Sequence, residues 1–247
     1  MRSNSPFEEP PALADDRIDL RTVSLDIDSR TLEEARKILS ADERKRADRF
    51  RFPRHARRFT AARAFLRRTL GAYLGIEPAA LTFEYGSEGK PSLPYTIAFN
   101  QSDSDELAVV AVTRSREVGV DIEKLRPIEN AELLAGRFFS AGETRELMEI
   151  PAPERERAFL ACWTRKESYL KATGEGLTRP LAEFQVVVDS RLNPCLVNVD
   201  FDHGEEQRWS MVHIDPAPGF IGALTIEGTA EVYWPERMPP SNAESDG

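Results

Sequence analysis

The sequence predicts an α+β protein made of two similar α/β halves with pseudo-two-fold symmetry, each a long helix packed on a small antiparallel sheet. Three observations lead there. Phe59, Ala62, Phe65, Leu66 and Leu70 form one helical stripe within Arg54 to Leu74, and Phe159, Cys162, Trp163, Lys166 and Leu170 form another, with no Pro or Gly between Glu154 and Thr173. Each long segment is followed by short alternating stretches that read as strands. Finally, Leu39-Ser40-Ala41-Asp42-Glu43 is answered by Phe139-Ser140-Ala141-Gly142-Glu143, and Arg63-Ala64-Phe65-Leu66 by Arg157-Ala158-Phe159-Leu160, as a duplicated unit would produce.

Taken in order, Ile18 to Ile27 alternates as a strand does, and Thr31 to Leu39 suits a short helix. Ser40 and Glu43 have capping-box spacing and open a basic helix through Arg49. The long helix Arg54 to Leu74 follows. Leu81 to Tyr85 reads as a strand and Gly86 to Gly89 as a turn. Strands are expected at Thr96 to Phe99 and Leu107 to Val112, with Asn100 to Glu106 a polar loop between them. Glu117 to Glu123 then completes a β-meander as its last strand. After the second capping box and the helix ending at Gly174, strands are expected at Glu183 to Val188, Leu196 to Phe201, Arg208 to His213 and Phe220 to Ile226. The division expected is a disordered tail at 1–16, an N-terminal half at 17–116, a C-terminal half at 117–234 and a second tail at 235–247, with ligands in the cleft between halves.

No apolar run approaches a membrane span, and the first residues lack the apolar core of a signal peptide, so a cytoplasmic protein without membrane contact is expected. Cys162 and Cys195 are too few for a disulfide framework and read as free thiols. The net charge of −9 is unevenly placed, because Arg30 to Leu70 holds 14 Lys and Arg against 5 Asp and Glu. Such a block suits an anionic ligand or an acidic protein surface, or it is a charged helix surface with its own ion pairs. His55, His203 and His213 have no metal-ligand spacing, which argues against zinc and against a histidine triad.

The chemistry concentrates between Val118 and Lys171. On a strand, Val118, Val120 and Ile122 face one way while Gly119, Asp121 and Glu123 face the other, which puts two carboxylates on one exposed face roughly 6.7 Å apart. On the helix, Glu167 and Lys171 are four apart and project together. Hard oxygen donors so placed suit a divalent cation, though an edge strand's polar face and a solvated i,i+4 pair would look the same.

Gly119-Val120-Asp121-Ile122-Glu123, a gap of some forty residues, then Trp163-x-x-Lys166-Glu167-Ser168-x-x-Lys171 resembles the signature of the Sfp-type 4′-phosphopantetheinyl transferases. Arg137-Phe138-Phe139-Ser140, Gly174-Glu175-Gly176-Leu177, Gly89-Lys90-Pro91 and Phe99-Asn100-Gln101-Ser102 extend the likeness, which covers roughly Leu39 to Val188. The resemblance implies transfer of the 4′-phosphopantetheine arm of coenzyme A to a serine of an apo acyl or peptidyl carrier protein, with release of 3′,5′-ADP. It implies Mg²⁺ held by Asp121, Glu123 and Glu167, and Lys171 paired with the pyrophosphate. It also implies a coenzyme A side formed by Arg58, Arg63, Lys90, Ser102 and Asp103. Glu167 is the best candidate for the base toward the incoming serine, a role that competes with metal binding, and a metal-bound water is the alternative. One departure stands out: the family usually reads Ser-His-Ser-Gly where this chain has Ser102-Asp103-Ser104-Asp105, and the histidine there normally faces the 3′-phosphate. A divalent-metal nuclease or phosphodiesterase and a non-catalytic carrier-binding relic are the alternatives. The duplication favours a monomer, and no nucleic-acid partner is expected.

Overall fold

The computed structural model describes residues 12–86, 88–200 and 204–235. The expected tails lie largely outside these, as do His203 and the end of the strand expected at Phe201. The first half contains β1 (Arg17–Ser24), α1 (Ser29–Lys37), α2 (Ala41–Asp48), the 22-residue α3 (Pro53–Leu74), β2 (Glu84–Tyr85), β3 (Pro91–Ser92), β4 (Ala98–Ser104) and β5 (Leu107–Thr113). Next come β6 (Val118–Lys124), α4 (Ala131–Phe138), α5 (Ala141–Glu149), the 22-residue α6 (Ala152–Thr173), β7 (Phe184–Val186), β8 (Leu196–Val199), α7 (Glu205–Arg208), β9 (Trp209–Ile214), β10 (Phe220–Glu227) and β11 (Glu231–Tyr233).

The main elements stack in four layers. One sheet has the order β11-β1-β5-β4, the other β6-β10-β9, and all their pairings are antiparallel except the parallel pair β1–β11. Phe65, Leu66 and Leu70 of α3 pack with Ala108, Val110 and Val112 of β5 on the outer face of the first sheet. The inner faces meet through Ile18, Leu20, Val109 and Ala111 on one side and Val118, Val120, Ile122 and Leu224 on the other. Alternation along each strand lets β5 serve both layers, which is why all seven of its residues are buried. Against the outer face of the second sheet lies α6. It approaches so closely that a Cβ on Gly119 would sit 2.1 Å from the Ser168 carbonyl oxygen, so only glycine fits there.

The duplication is visible in the side chains. Ser40 and Glu43 close a capping box on α2, as do Ser140 and Glu143 on α5. Both long helices end on a left-handed glycine, Gly75 and Gly174. Aligned by their first residues and by these glycines, Arg67 of α3 falls on Lys166 of α6. Arg67 donates to Glu43 (2.7 Å) and to the carbonyls of Pro78 and Leu81 (both 2.9 Å). Lys166 is paired with Glu143 (2.8 Å) and donates to the carbonyls of Leu181 (2.7 Å) and Phe184 (2.5 Å). The echo between Arg63–Leu66 and Arg157–Leu160 is more than a turn out of this register. It reflects similar helix composition, whereas the repeated structural unit is a capping glutamate that holds a buried cation.

Three strand expectations are corrected. The segment Asn100 to Glu106 is not a loop, because β4 runs on to Ser104 and the hairpin turns at Asp105 (φ 49°) and Glu106. Nor is the 117–123 segment the last strand of a meander, since β6 pairs with β10 in the second sheet. Leu81 to Tyr85 contributes only the two residues of β2 to a strand.

Candidate active site

The misread segment builds the site. Because β4 and β6 belong to different sheets, side chains rather than carbonyls of β4 satisfy the facing amides of β6. Asn100 Oδ1 accepts from the Val120 amide (3.0 Å), Ser102 Oγ from Ile122 (3.2 Å) and Ser104 Oγ from Lys124 (3.1 Å). The period-two polar pattern that suggested a loop is therefore a ladder of side chains joining two sheets. Both serine hydroxyls donate onward, Ser102 to Asp121 Oδ1 and Ser104 to Glu123 Oε2, each at 2.9 Å. They fix the two strand carboxylates. Ser102, placed by resemblance on the coenzyme A side, here orients Asp121.

Asp121 is only 7% exposed, where the strand pattern had suggested an open face. From α6, Lys171 reaches across to it: Nζ lies 2.6 Å from Asp121 Oδ1, 3.2 Å from Ser102 Oγ and 3.3 Å from the Val120 carbonyl. The i,i+4 pair suggested for Glu167 and Lys171 gives way to this bond between elements. Glu167 Oε1 and Asp121 Oδ2 are buried without a hydrogen-bond partner. Burial raises the pKa of Glu167, with Asp121 and Glu123 adding to the rise and Lys171 opposing it. Glu123 is raised by burial too, against the Ser104 hydrogen bond.

Two clefts adjoin this centre. One of about 220 Å³ is lined by Gly89, Lys90, Gln101, Lys171 and Gly174. Lys90 Nζ there donates to Glu117 (2.7 Å) and to the Ala172 carbonyl (2.9 Å). The other, about 450 Å³, is lined by Arg46, His55, Arg58, Phe59, Arg63 and Asp103 among others. Arg58 and Arg63 reach its wall with their guanidinium groups engaged, Arg58 by Asp26 and Asp105 and Arg63 by Glu43. The basic block of α1 to α3 is thus partly neutralised from within. Sequence reasoning passed over Arg46, whose guanidinium lies over the Phe59 ring and which has no ion pair among the described residues. Nothing local distinguishes it from its basic neighbours; only the folded position beside Asp103 does. Asp103 is open to solvent, yet the protein around it raises its pKa, with Asp121 adding and Lys171 and Arg46 opposing.

Comparison with known proteins decides what this centre belongs to. The family model of the 4′-phosphopantetheinyl transferase superfamily matches residues 117–225, and that of the 4′-phosphopantetheinyl transferase N-terminal region matches 28–115. The 4′-phosphopantetheinyl transferase HetI of a Nostoc species is 38% identical over 92% of this chain and 96% of its own length. The chain belongs to the 4′-phosphopantetheinyl transferase superfamily. The transferase Sfp of Bacillus subtilis is 31% identical over 60% of this transferase and 66% of its own length. Among solved structures, the Thermotoga maritima holo-[acyl-carrier-protein] synthase overlaps 46% of this chain and 63% of its own at 22% identity and a TM-score of 0.36, a likeness too slight to bear on the fold.

In this transferase the donor set fits a hard divalent cation: three neighbouring carboxylates, two of them with a buried oxygen lacking any partner. As the side chains stand, no group of three acidic, histidine or cysteine residues among the described residues is placed to hold a metal ion. Lys171 occupies Asp121 and Ser104 holds Glu123 in this arrangement. A third feature escaped sequence reasoning. From Glu123 an apolar groove of about 410 Å³ extends along Ile128, Leu134, Phe138, Phe159, Leu160 and Trp163. Trp163 and Phe159 were legible only as a core stripe, because the groove's other wall comes from α4.

Proposed function

We propose that this transferase moves the 4′-phosphopantetheine arm of coenzyme A onto a serine of an apo acyl or peptidyl carrier protein in a Mg²⁺-dependent reaction, leaving 3′,5′-ADP. The observation that carries the reading is the meeting of Asp121, Glu167 and Lys171 at the junction of the two sheets, flanked by clefts that bear cations. Mg²⁺, held by Asp121, Glu123 and Glu167, would neutralise the pyrophosphate as it is attacked. Lys171, which lines the 220 Å³ cleft, suits the oxygens of the departing phosphate. Glu167 is the base candidate for the proton of the attacking serine hydroxyl, in competition with its metal-holding role, and a water on the metal is the alternative. Arg46 and the 450 Å³ cleft suit the nucleotide phosphates, and the groove beginning at Glu123 suits the arm itself. A cytoplasmic monomer remains part of this proposal.

The test is to incubate the protein with coenzyme A, Mg²⁺ and a panel of apo carrier proteins and to weigh the carriers. At least one should gain one phosphopantetheinyl group on its serine, and chelation by EDTA should prevent it. A panel that gains nothing, together with cleavage of a generic nucleic acid, would instead select the nuclease reading.

Asp103 gives a second expectation. Arg63 is held by Glu43, and no ion pair joins an arginine to Asp103 among the described residues, which favours simple repulsion; Arg46, in the same cleft, is the arginine that an anchoring aspartate would hold. Asp103→His should then tighten coenzyme A by about 1 kcal/mol, a screened share of the roughly 4 kcal/mol that unit charges exchange at 4 Å with an effective dielectric of 20. Titration calorimetry with coenzyme A and its 3′-dephospho form reads this directly. Looser binding in the histidine variant would reverse the assignment.

A further inference from the structure

We infer that Lys171 is an internal stand-in for the metal: its ammonium neutralises Asp121 in the free protein, and it must leave for the pyrophosphate oxygens when a divalent cation takes that carboxylate. The inference rests on the metal-site reading above and adds a coupling between metal and coenzyme A. An ammonium has three protons, and Lys171 has three acceptors, Asp121 Oδ1, Ser102 Oγ and the Val120 carbonyl. Oδ1 is the better supplied oxygen, since it also accepts from Ser102, whereas Oδ2 on the same carboxylate is buried without a partner. The site is thus balanced for one monovalent cation on Asp121.

A divalent ion arriving alone meets that ammonium. Displacing it leaves a positive charge beside another, in surroundings where Asp121 is nearly buried. Lys90 cannot relieve the crowding, because it is tied to Glu117 and to the end of α6. Lys171 lines the 220 Å³ cleft, so its head has a short turn from Asp121 toward a ligand there. A pyrophosphate in that cleft supplies the anion the displaced ammonium needs. Metal and coenzyme A should therefore bind with positive cooperativity, and by linkage each should tighten the other by the same factor.

Mn²⁺ is a suitable probe, read by the loss of its free electron paramagnetic resonance signal on titration into the full chain, with and without coenzyme A and after subtraction of what coenzyme A binds by itself. For the wild type, coenzyme A should tighten Mn²⁺ by about tenfold, within the range usual for coupled sites. In Lys171→Met, Mn²⁺ alone should bind about tenfold tighter than to the wild type, and the coenzyme A effect should shrink to the share that the pyrophosphate's own contact with the metal supplies. Lys171→Gln, which keeps a hydrogen-bond donor without the charge, should behave like the methionine variant and guards against a packing artefact. Mn²⁺ binding that is unchanged or weaker in both variants, with the coupling intact, would overturn the exchange. Asp121→Asn separates the levels. If it weakens Mn²⁺ while the Lys171 variants change nothing, the metal site stands and the exchange falls; if it binds Mn²⁺ like the wild type, the metal-site reading fails and takes the exchange with it.

Discussion

Glu143→Ala is expected to cost about 3–5 kcal/mol of stability, the range for breaking a buried ion pair from one side. Lys166 is 0% and Glu143 2% exposed at the side chain, so the lone ammonium would have no water to turn to. Burial already lowers the pKa of Lys166, with Glu143 opposing that shift. Removing the glutamate takes away the main opposition to burial and should lower the pKa of Lys166 further, while the lysine keeps the carbonyls of Leu181 and Phe184. The same truncation strips the Val186 amide (2.8 Å) and the Ser140 amide (2.8 Å) of their acceptor. At roughly 2–4 °C per kcal/mol for a chain of this size, the melting temperature should fall by about 6–20 °C. The discriminating control is Glu143→Leu with Lys166→Met, which removes both charges and should recover much of the loss. A double variant no better than the single would mean that the amide contacts, not the charge, carry the cost.

Glu167→Gln should do the opposite to stability while removing function. The pKa of Glu167 is raised by burial first and by Asp121 next, so the folded protein holds its proton more tightly than the unfolded chain does. Ionisation therefore penalises folding. The penalty begins near the unfolded value of about 4.3, grows as pH rises and levels off above the raised folded value. Glutamine cannot ionise, and the variant should melt higher than the wild type at pH 7, with the difference shrinking toward pH 4. Transfer should drop on the order of 10²–10³-fold, the usual effect of removing one preorganised group. Added Mg²⁺ should stabilise the wild type and leave the variant nearly unmoved. A variant that melts lower at neutral pH would show that Glu167 is a structural ion-pair partner and not a strained site residue.

The helices could be read from the chain because their ends are written locally: Ser40 with Glu43, Ser140 with Glu143, and Gly174 each act within one turn. Asp121, Glu123, Glu167 and Lys171 stood out for a different reason: spacing alone left a polar edge and a solvated pair open, and the resemblance to a family signature singled them out. What could not be read were contacts made between elements. Asn100, Ser102 and Ser104 alternate as loop polar residues do, and only the approach of β6 turns them into a hydrogen-bond ladder. Lys171 sits one turn from Glu167, yet it bonds Asp121 on another element. The partners of Arg58 and Arg63 could not be read because Asp26, Asp105 and Glu43 are distant in the chain. Local pattern records which residues are polar but not which partner the fold will bring.

The parallel pairing of β11 with β1 sets an order on biosynthesis. β1 emerges from the ribosome early and finds β5 soon after, but its other edge waits for Glu231, Val232 and Tyr233. Through most of translation that edge offers unpaired backbone groups to any neighbouring chain. Closing it also docks Trp234, whose indole donates to Thr22 at 2.9 Å. A nascent chain stalled short of residue 231 would carry a nearly finished first sheet with an open side, and such intermediates should be the species that chaperones retain.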